Sequence, residues 1–575
     1  MSRDKGLRIQ GLMLSLLVCL LSNLAYAGGK VYWQENGVCI CEGTFAGGTY
    51  PIDIVSDSCG GAIVVWGDTR GSGGIFAQRV DSSGNVLWDT NGVIVAIGTS
   101  ELWALEPHAT TDGKGGAIIT WDYPADLNFR GKGIYAARVN SNGIRKWEKC
   151  IREPPPMNTD TVTESPEIVP DRQGGAVIVW TETHSSFGNI YAQRVDSSGN
   201  KMWNDRGAPV CTLYTASYPY SKIVEIVCTE DNNFAITWTD YRNGNQDIYL
   251  QKIDSSGAPI WTPNGIAICD TLGAQAISFL CGIESNTIIT WSDKRGSDWD
   301  VYIQKVDSMG EGWWGSNGMP ICTEIGDQAG YGTGDKIALV TSLQNVIVSW
   351  RDKRAGNLDI YTQAMDLNGT PLWQNNGVFV CSAAPSTEEN ISFSIKSDGR
   401  GGVIIPWSDY RAGNWDIYAQ RVDSSGVLQW GDSALAVCTT SEDQCWGPVV
   451  TTNGKGGAIV TWGNSKGPGA NVYVQRVGDE VISIDENSKL QIPNPKLEVY
   501  PNPFIRSTIV RLEDYRLEDC KVRIYDVMGR LVEEKSKIKN QNAKLVIGKE
   551  LPAGVYFVKA QRHKLTKIIK IGGVK

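Results

Sequence analysis

The sequence predicts an all-β protein: an eight-bladed β-propeller closed by its own N-terminal strand, followed by a small Ig-like β-sandwich. Three observations carry this reading. One segment is written eight times, anchored on Trp66, Trp121, Trp180, Trp238, Trp291, Trp350, Trp407 and Trp462, with gaps of 55, 59, 58, 53, 59, 57 and 55 residues. Each copy is built from short, alternating or β-branched apolar runs bounded by glycines, the pattern of strands. The last copy stops after Tyr473-Val-Gln-Arg-Val477, and its missing final segment stands at the front as Trp33-Gln-Glu-Asn-Gly37-Val-Cys-Ile-Cys41. A repeat that cannot bury its apolar face alone must stack on its neighbours. A ring fastened by that displaced segment leaves no sheet edge open.

Taken in chain order, Arg3, Lys5 and Arg8 precede an apolar run from Leu12 to Leu21, and Ala25-Tyr-Ala27 offers a cleavage site. Residues 1–27 therefore read as a secretory signal peptide. Neither that run nor any other reaches the ~18 apolar residues of a membrane-spanning helix. The propeller is expected over residues 28–477. The copy at blade 7 shows its parts: Gly401-Gly402-Val-Ile-Ile-Pro-Trp407 is a strand, Asp416-Ile-Tyr-Ala-Gln-Arg-Val422 is the next, and Asp423-Ser-Ser-Gly426 is a tight turn. In such a turn Asp caps its own backbone and Gly supplies the positive φ. Trp430 and Cys438 mark a fourth strand, and a further segment ahead of the double glycine supplies the first.

Fourteen cysteines invite disulfide arithmetic. Cys41, Cys211, Cys269, Cys322, Cys381 and Cys438 hold one repeat position in different blades, too far apart to bond one another. The position reads as a small buried hydrophobe. Short-range pairs (Cys41 with Cys59, Cys211 with Cys228, Cys269 with Cys281, Cys438 with Cys445) stay open.

The net charge of −9 is unevenly spread. From Lys496 onward 18 basic residues face 9 acidic ones, so the rest of the chain carries −18. An acidic propeller argues against nucleic-acid binding, which needs a basic footprint. Residues 478–496 are polar and contain proline, which suits a linker. Residues 497–575 alternate strand-like runs with Pro and Gly turns, which reads as the sandwich.

That tail carries Val499-Tyr500-Pro501-Asn502-Pro503-Phe504, Ile524-Tyr-Asp-Val-Met-Gly529-Arg530 and Leu551-Pro-Ala-Gly554-Val-Tyr556-Phe-Val-Lys559 in this order. It resembles the type A sorting domain of the type IX secretion system. The resemblance implies export to the cell surface or the medium and handling by the secretion machinery. It places the recognition residues on Tyr500, Pro501, Asn502, Pro503, Gly529, Gly554 and Tyr556.

In a four-stranded blade the 1–2 and 3–4 turns share one face, here short and uniform. The 2–3 turns and inter-blade loops share the other, here variable, and binding residues favour variable loops on a rigid frame. Trp103, Trp299, Trp415 and Trp446 fall outside the repeat positions on that side and are the candidate ligand-binding aromatics, for an extracellular glycan or protein. The recurring Trp-x-Asp-x-Arg step reads as loop stapling, each Asp clamped by its Arg. Only His108, His184 and His563 are present, with no His-x-x-His pair, Gly-x-Ser-x-Gly elbow or phosphate loop. The expectation is therefore an exported binding or adhesion scaffold with no catalytic residues, no metal and no cofactor. The alternative is an extracellular carbohydrate-active enzyme using carboxylates on the variable face. One asymmetric acidic pair near the ring axis, unmatched in other blades, would favour that alternative.

Overall fold

A computed structural model of the chain describes residues 28–479 except connecting segments (43–51, 99–106, 124–131, 157–160, 216–223, 330–336, 383–391 and a few shorter stretches) and, beyond 496, the strands of the tail. Contacts divide it into two compact units, Met1–Ile482 and Ser483–Lys575. The first unit holds eight antiparallel sheets, seven with their strands in sequence order and the last taking in the N-terminal strands, and no helix among the described residues. Blades 1 to 8 are numbered by their anchor tryptophans. Blade 4 is typical: Val224–Cys228, Phe234–Asp240, Asp247–Ile253 and Ile266–Cys269.

The anchor tryptophans form the core between blades; each is at most 1% exposed. Trp238 stacks on Tyr249 across the hairpin at 6.0 Å, and the same pair recurs as Trp291 with Tyr302 and Trp407 with Tyr418. Successive sheets bury these rings against Ile and Val of the preceding blade, in clusters that straddle each junction. Contacts between first strands run from blade 1 through blade 8 and back to blade 1, so the array is a ring around an axial channel.

Closure follows the expected route. Gly29–Val31 pairs with the end of Gly469–Asp479, with Val31 opposite Val477, and Val38–Cys41 pairs with the same strand at Val474 to Val472. The internal hydrogen bonds of a blade are reproduced across the termini. In blade 4 the Gln251 amide donates to Thr262 O at 2.9 Å, and in blade 8 the Gln475 amide donates to Gln34 O at 2.7 Å. Gly37, at φ +91°, lies over the Trp462 ring, where an added Cβ would sit 2.6 Å from Cη2. Only glycine fits that approach.

Blades are also bolted together on the uniform face. The indole of Trp88 donates to Ser141 O in the next blade's turn at 3.1 Å, Trp147 to Ser197 O at 3.0 Å and Trp373 to Ser424 O at 3.1 Å. Trp33, from the N-terminal segment, does the same to Ser82 O at 3.2 Å, joining blade 8 to blade 1. The turn glycine lies flat on that indole; a Cβ on Gly84 would meet Trp33 at 2.7 Å.

The tail contains two antiparallel sheets, one of three strands (Leu497–Tyr500, Thr508–Leu512, Lys544–Ile547) and one of four (Lys521–Asp526, Leu531–Lys535, Gly554–Arg562, Leu565–Gly573). Whether they face each other as a sandwich rests on side chains outside the described residues.

Candidate functional site

The Trp-x-Asp-x-Arg step is a structural clamp. In blades 4 to 7 the Asp is fully buried and accepts the indole N–H of its own blade's tryptophan, Trp238 to Asp240 at 2.9 Å and Trp291 to Asp293 at 2.8 Å. The following Arg forks onto the same carboxylate and lies over the partner tyrosine, Arg295 at 3.9 Å from the Tyr302 ring centre. Its outer edge crosses the junction. Arg242 donates to Cys211 Sγ of the preceding blade at 3.2 Å, Arg295 to Cys269 at 3.2 Å and Arg354 to Cys322 at 2.9 Å. The repeat cysteine is thus a small buried group that also receives a guanidinium. Burial pushes the Cys269 thiol up to about 11 and Cys322 to about 12. Cys41, Cys59, Cys211, Cys228, Cys269 and Cys281 are all free thiols, so those three candidate pairs are not formed, and Cys445 lies outside the described residues.

A second carboxylate faces each clamped one across the hairpin: Asp240 with Asp247, Asp293 with Asp300, Asp352 with Asp359, Asp409 with Asp416. Burial, more than the neighbouring charges, raises all four above the usual carboxylate range, Asp300 to about 6 with Asp293, Asp298 and Asp327 adding to it. A carboxyl with a raised folded-state pKa binds its proton more tightly in the native chain, so stability falls as pH rises through the window from about 4 to about 6. Asp300→Asn is therefore expected to raise the melting temperature at pH 7.5 and leave it unchanged at pH 4. Calorimetry at the two pH values checks this.

The four candidate aromatics separate. Trp103 lies outside the described residues, as does the side chain of Trp446, whose backbone opens Trp446–Thr452. Trp299 and Trp415 turn out to occupy one repeat position. Trp299 N donates to Asp327 Oδ1 at 3.0 Å and its carbonyl accepts Gln328 N, while Trp415 N donates to Asp443 Oδ1 at 2.9 Å and its carbonyl accepts Gln444 N. Gln246 and Leu358 hold that position in blades 4 and 6. Trp299 is only 4% exposed, beneath Lys294, so its ring packs the loop onto the blade rather than facing solvent. Trp415 is half-buried against Tyr410 at 5.2 Å.

The asymmetric feature is at the axis. In every blade one first-strand residue stands opposite the residue just before the anchor tryptophan. In blades 1 to 4 these are Asp53 (opposite Val65), His108 (Thr120), Glu167 (Val179) and Glu225 (Thr237). In blades 5, 6 and 8 they are Phe279, Ala338 and Val449, and in blade 7 Ser394 takes the place, bonded to Pro406 O. One layer of the channel therefore carries ionisable side chains through four consecutive blades and none through the other four. Sequence reading missed it because first strands carry little signature, although each of the four residues stands thirteen places ahead of its tryptophan.

Within the layer His108 Nδ1 lies 3.8 Å from Glu167 Oε2, both partly open to solvent. Asp53 accepts Ile54 N at 2.7 Å and, across the junction, Ala109 N at 2.8 Å. Burial lifts the Asp53 carboxyl above its ordinary range, against the opposing pull of His108. Lys396, from the first strand of blade 7, is within electrostatic reach of Asp53, and burial lowers its ammonium. Among the described residues no cluster has the composition of a metal site.

Tyr500 closes Leu497–Tyr500, and Gly554 and Tyr556 lie in Gly554–Arg562, whereas Pro501, Asn502, Pro503 and Gly529 lie outside the described residues. Residues 498–572 match the family model of the secretion system C-terminal sorting domain. The chain carries a sorting tail for export. It is delivered to the cell surface or the medium, and its sorting domain is handled by the secretion machinery. No helix among the described residues is long and apolar enough to cross a membrane.

No curated protein matches the chain. Solved structures that it matches include an ulvan lyase of a new polysaccharide lyase family (TM-score 0.40, 10% identity, covering 72% of this chain and 98% of that one). Others are an endo-arabinase from Bacteroides thetaiotaomicron (0.26, 12%, 51% and 100%) and the β-propeller domain of the Trilobed protease from Pyrococcus furiosus (0.34, 10%, 64% and 94%). The expectation of a protein without catalysis is corrected here. Glycan-cleaving enzymes stand among the matched structures.

Proposed function

We propose that the exported sorting-domain protein is carbohydrate-active, taking an extracellular saccharide into the axial channel of its propeller. The observation that supports this reading is the one-sided ionisable layer of Asp53, His108, Glu167 and Glu225, which the repeat does not require and half of the ring lacks. A carboxyl whose proton is held more tightly by burial suits proton donation to a glycosidic oxygen. A carboxylate beside an imidazole suits the complementary task of accepting a proton or steadying positive charge. Asp53 takes the first role and Glu167 with His108 the second. Trp415 is a secondary platform on the variable side. Tyr500, Pro501, Asn502, Pro503, Gly529, Gly554 and Tyr556 act as the export signal in the same reading.

The test is a cleavage screen over extracellular polysaccharides, followed by the variants Asp53→Asn, His108→Ala and Glu167→Gln on any substrate found. Loss of roughly 10²–10⁴-fold in kcat/KM is expected for Glu167→Gln, with the melting temperature little changed. Turnover that survives all three substitutions removes the axial layer from the chemistry.

A further inference from the structure

The junction between blades 2 and 3 rewrites the clamp. Arg152 stands where six of the other blades place cysteine and blade 1 places Ala96: it pairs with Ile134 as Cys211 pairs with Ile190, Cys269 with Ile248 and Ala96 with Ile75. Glu182 takes the place of the clamped Asp, and His184 that of the following Arg. Glu182 is 3% exposed and its two oxygens are shared between two guanidiniums, Arg152 Nε at 2.6 Å and Arg206 Nη2 at 3.1 Å.

This arrangement leaves donors over. In blade 4 a single guanidinium is used on every edge, by Asp240, by Asn264 O and by Cys211 Sγ. At the rewritten junction each guanidinium gives one nitrogen to Glu182, and among the described residues its other nitrogens have no hydrogen-bond acceptor. An arginine carries five N–H donors in a planar fork. Both border a cleft of about 660 Å³, with Lys201, Glu153 and Asp205 around it and Pro155, Pro156 and Thr161 among the remaining lining residues. The lining holds three cations, Arg152, Arg206 and Lys201, and three carboxylates, of which Glu182 is buried between the two guanidiniums and Glu153 and Asp205 are exposed.

We propose that this cleft binds the anionic oxygens, carboxylate or sulfate ester, of an acidic sugar residue through the spare edges of Arg152 and Arg206, assisted by Lys201. Planar guanidinium forks match such oxygens two at a time. The volume is roughly twenty times a water's share of liquid, too large for a lone inorganic anion and within the range of small-ligand pockets. An acidic peptide would want an aromatic or aliphatic anchor, and this lining offers only two prolines. The site is separate from the axial layer and does not depend on it.

Calorimetric titration of the full chain tests this with a galacturonate trisaccharide, a monosulfated galactobiose and unsulfated galactobiose, at two salt concentrations. At least one anionic probe is expected to bind about tenfold or more tightly than the neutral sugar, and less tightly at higher salt. Which anion binds identifies the source. Arg206→Ala, a residue 61% exposed, and Lys201→Ala are each expected to weaken that binding about tenfold with the melting temperature little changed. Asp53→Asn should leave it intact, which separates this site from the proposed axial one. Absence of binding by either anion, or equal binding by wild type and both variants, overturns the proposal.

Discussion

Deletion of residues 28–41 is expected to abolish the single cooperative unfolding of the propeller and to drive the chain into aggregates. That segment supplies two strands to Gly469–Asp479, buries Ile40 and Cys41, and carries both the Gln475-to-Gln34 and the Trp33-to-Ser82 hydrogen bonds. A buried isoleucine contributes about 1.5–3 kcal/mol and each hydrogen bond about 1 kcal/mol, so the loss exceeds about 5 kcal/mol once the other pairings are included. It also bares Val472 and Val474 along an unpaired edge, the kind of surface that recruits other chains. Scanning calorimetry and light scattering on the truncated chain measure both effects. An unchanged transition would mean that blade 8 is complete without the N-terminal segment.

The second large effect is expected at a single clamp. Asp293→Ala removes the acceptor of Trp291 Nε1 and leaves Arg295 without its carboxylate at a site where Asp293 is fully buried. Breaking one partner of a buried pair costs about 3–5 kcal/mol, more than the pair itself contributes. Asp293→Asn keeps the acceptor and should cost less. The double change Asp293→Ala, Arg295→Met should recover part of the loss, because no guanidinium is left without the carboxylate that it forked onto. Denaturant unfolding of the three variants checks the order; equal destabilisation by Asn and Ala would show that the lost charge, not the lost acceptor, carries the cost.

Much of the ring was legible because its physics is repeated. The anchor tryptophans, turn glycines and Gln475 strand each meet the same surroundings several times, so their pattern rises above single-site noise. Closure was legible for the same reason: Trp33, Gly37 and Cys41 keep the spacing of a fourth strand although they stand hundreds of residues from their blade. What escaped was whatever the repeat does not dictate. The first strands vary in length and in the loops that precede them, so the common register of Asp53, His108, Glu167 and Glu225 went unnoticed despite its constant offset from the tryptophan, until pairing placed the four in one layer. Trp299 and Trp415 looked like strays, and the shared backbone bonds to Asp327 and Asp443 reveal a position that tolerates Gln or Leu as well. Arg152 was hidden because blade 2 shortens its fourth segment, which displaces the cysteine register by count but not in space.

The indole-to-turn bolt has a consequence for how such a ring can arise and change. Each unit carries a plug, the flat Asp-Ser-Ser-Gly turn, and a socket, the tryptophan of its last strand, so a duplicated unit meets a neighbour it already fits. Copies could then be gained or lost whole, while the divided unit at the two ends lets the chain begin and finish at the same joint. Divergence is held in check wherever plug meets socket and is free everywhere else, and the unrepeated chemistry sits among the freed positions.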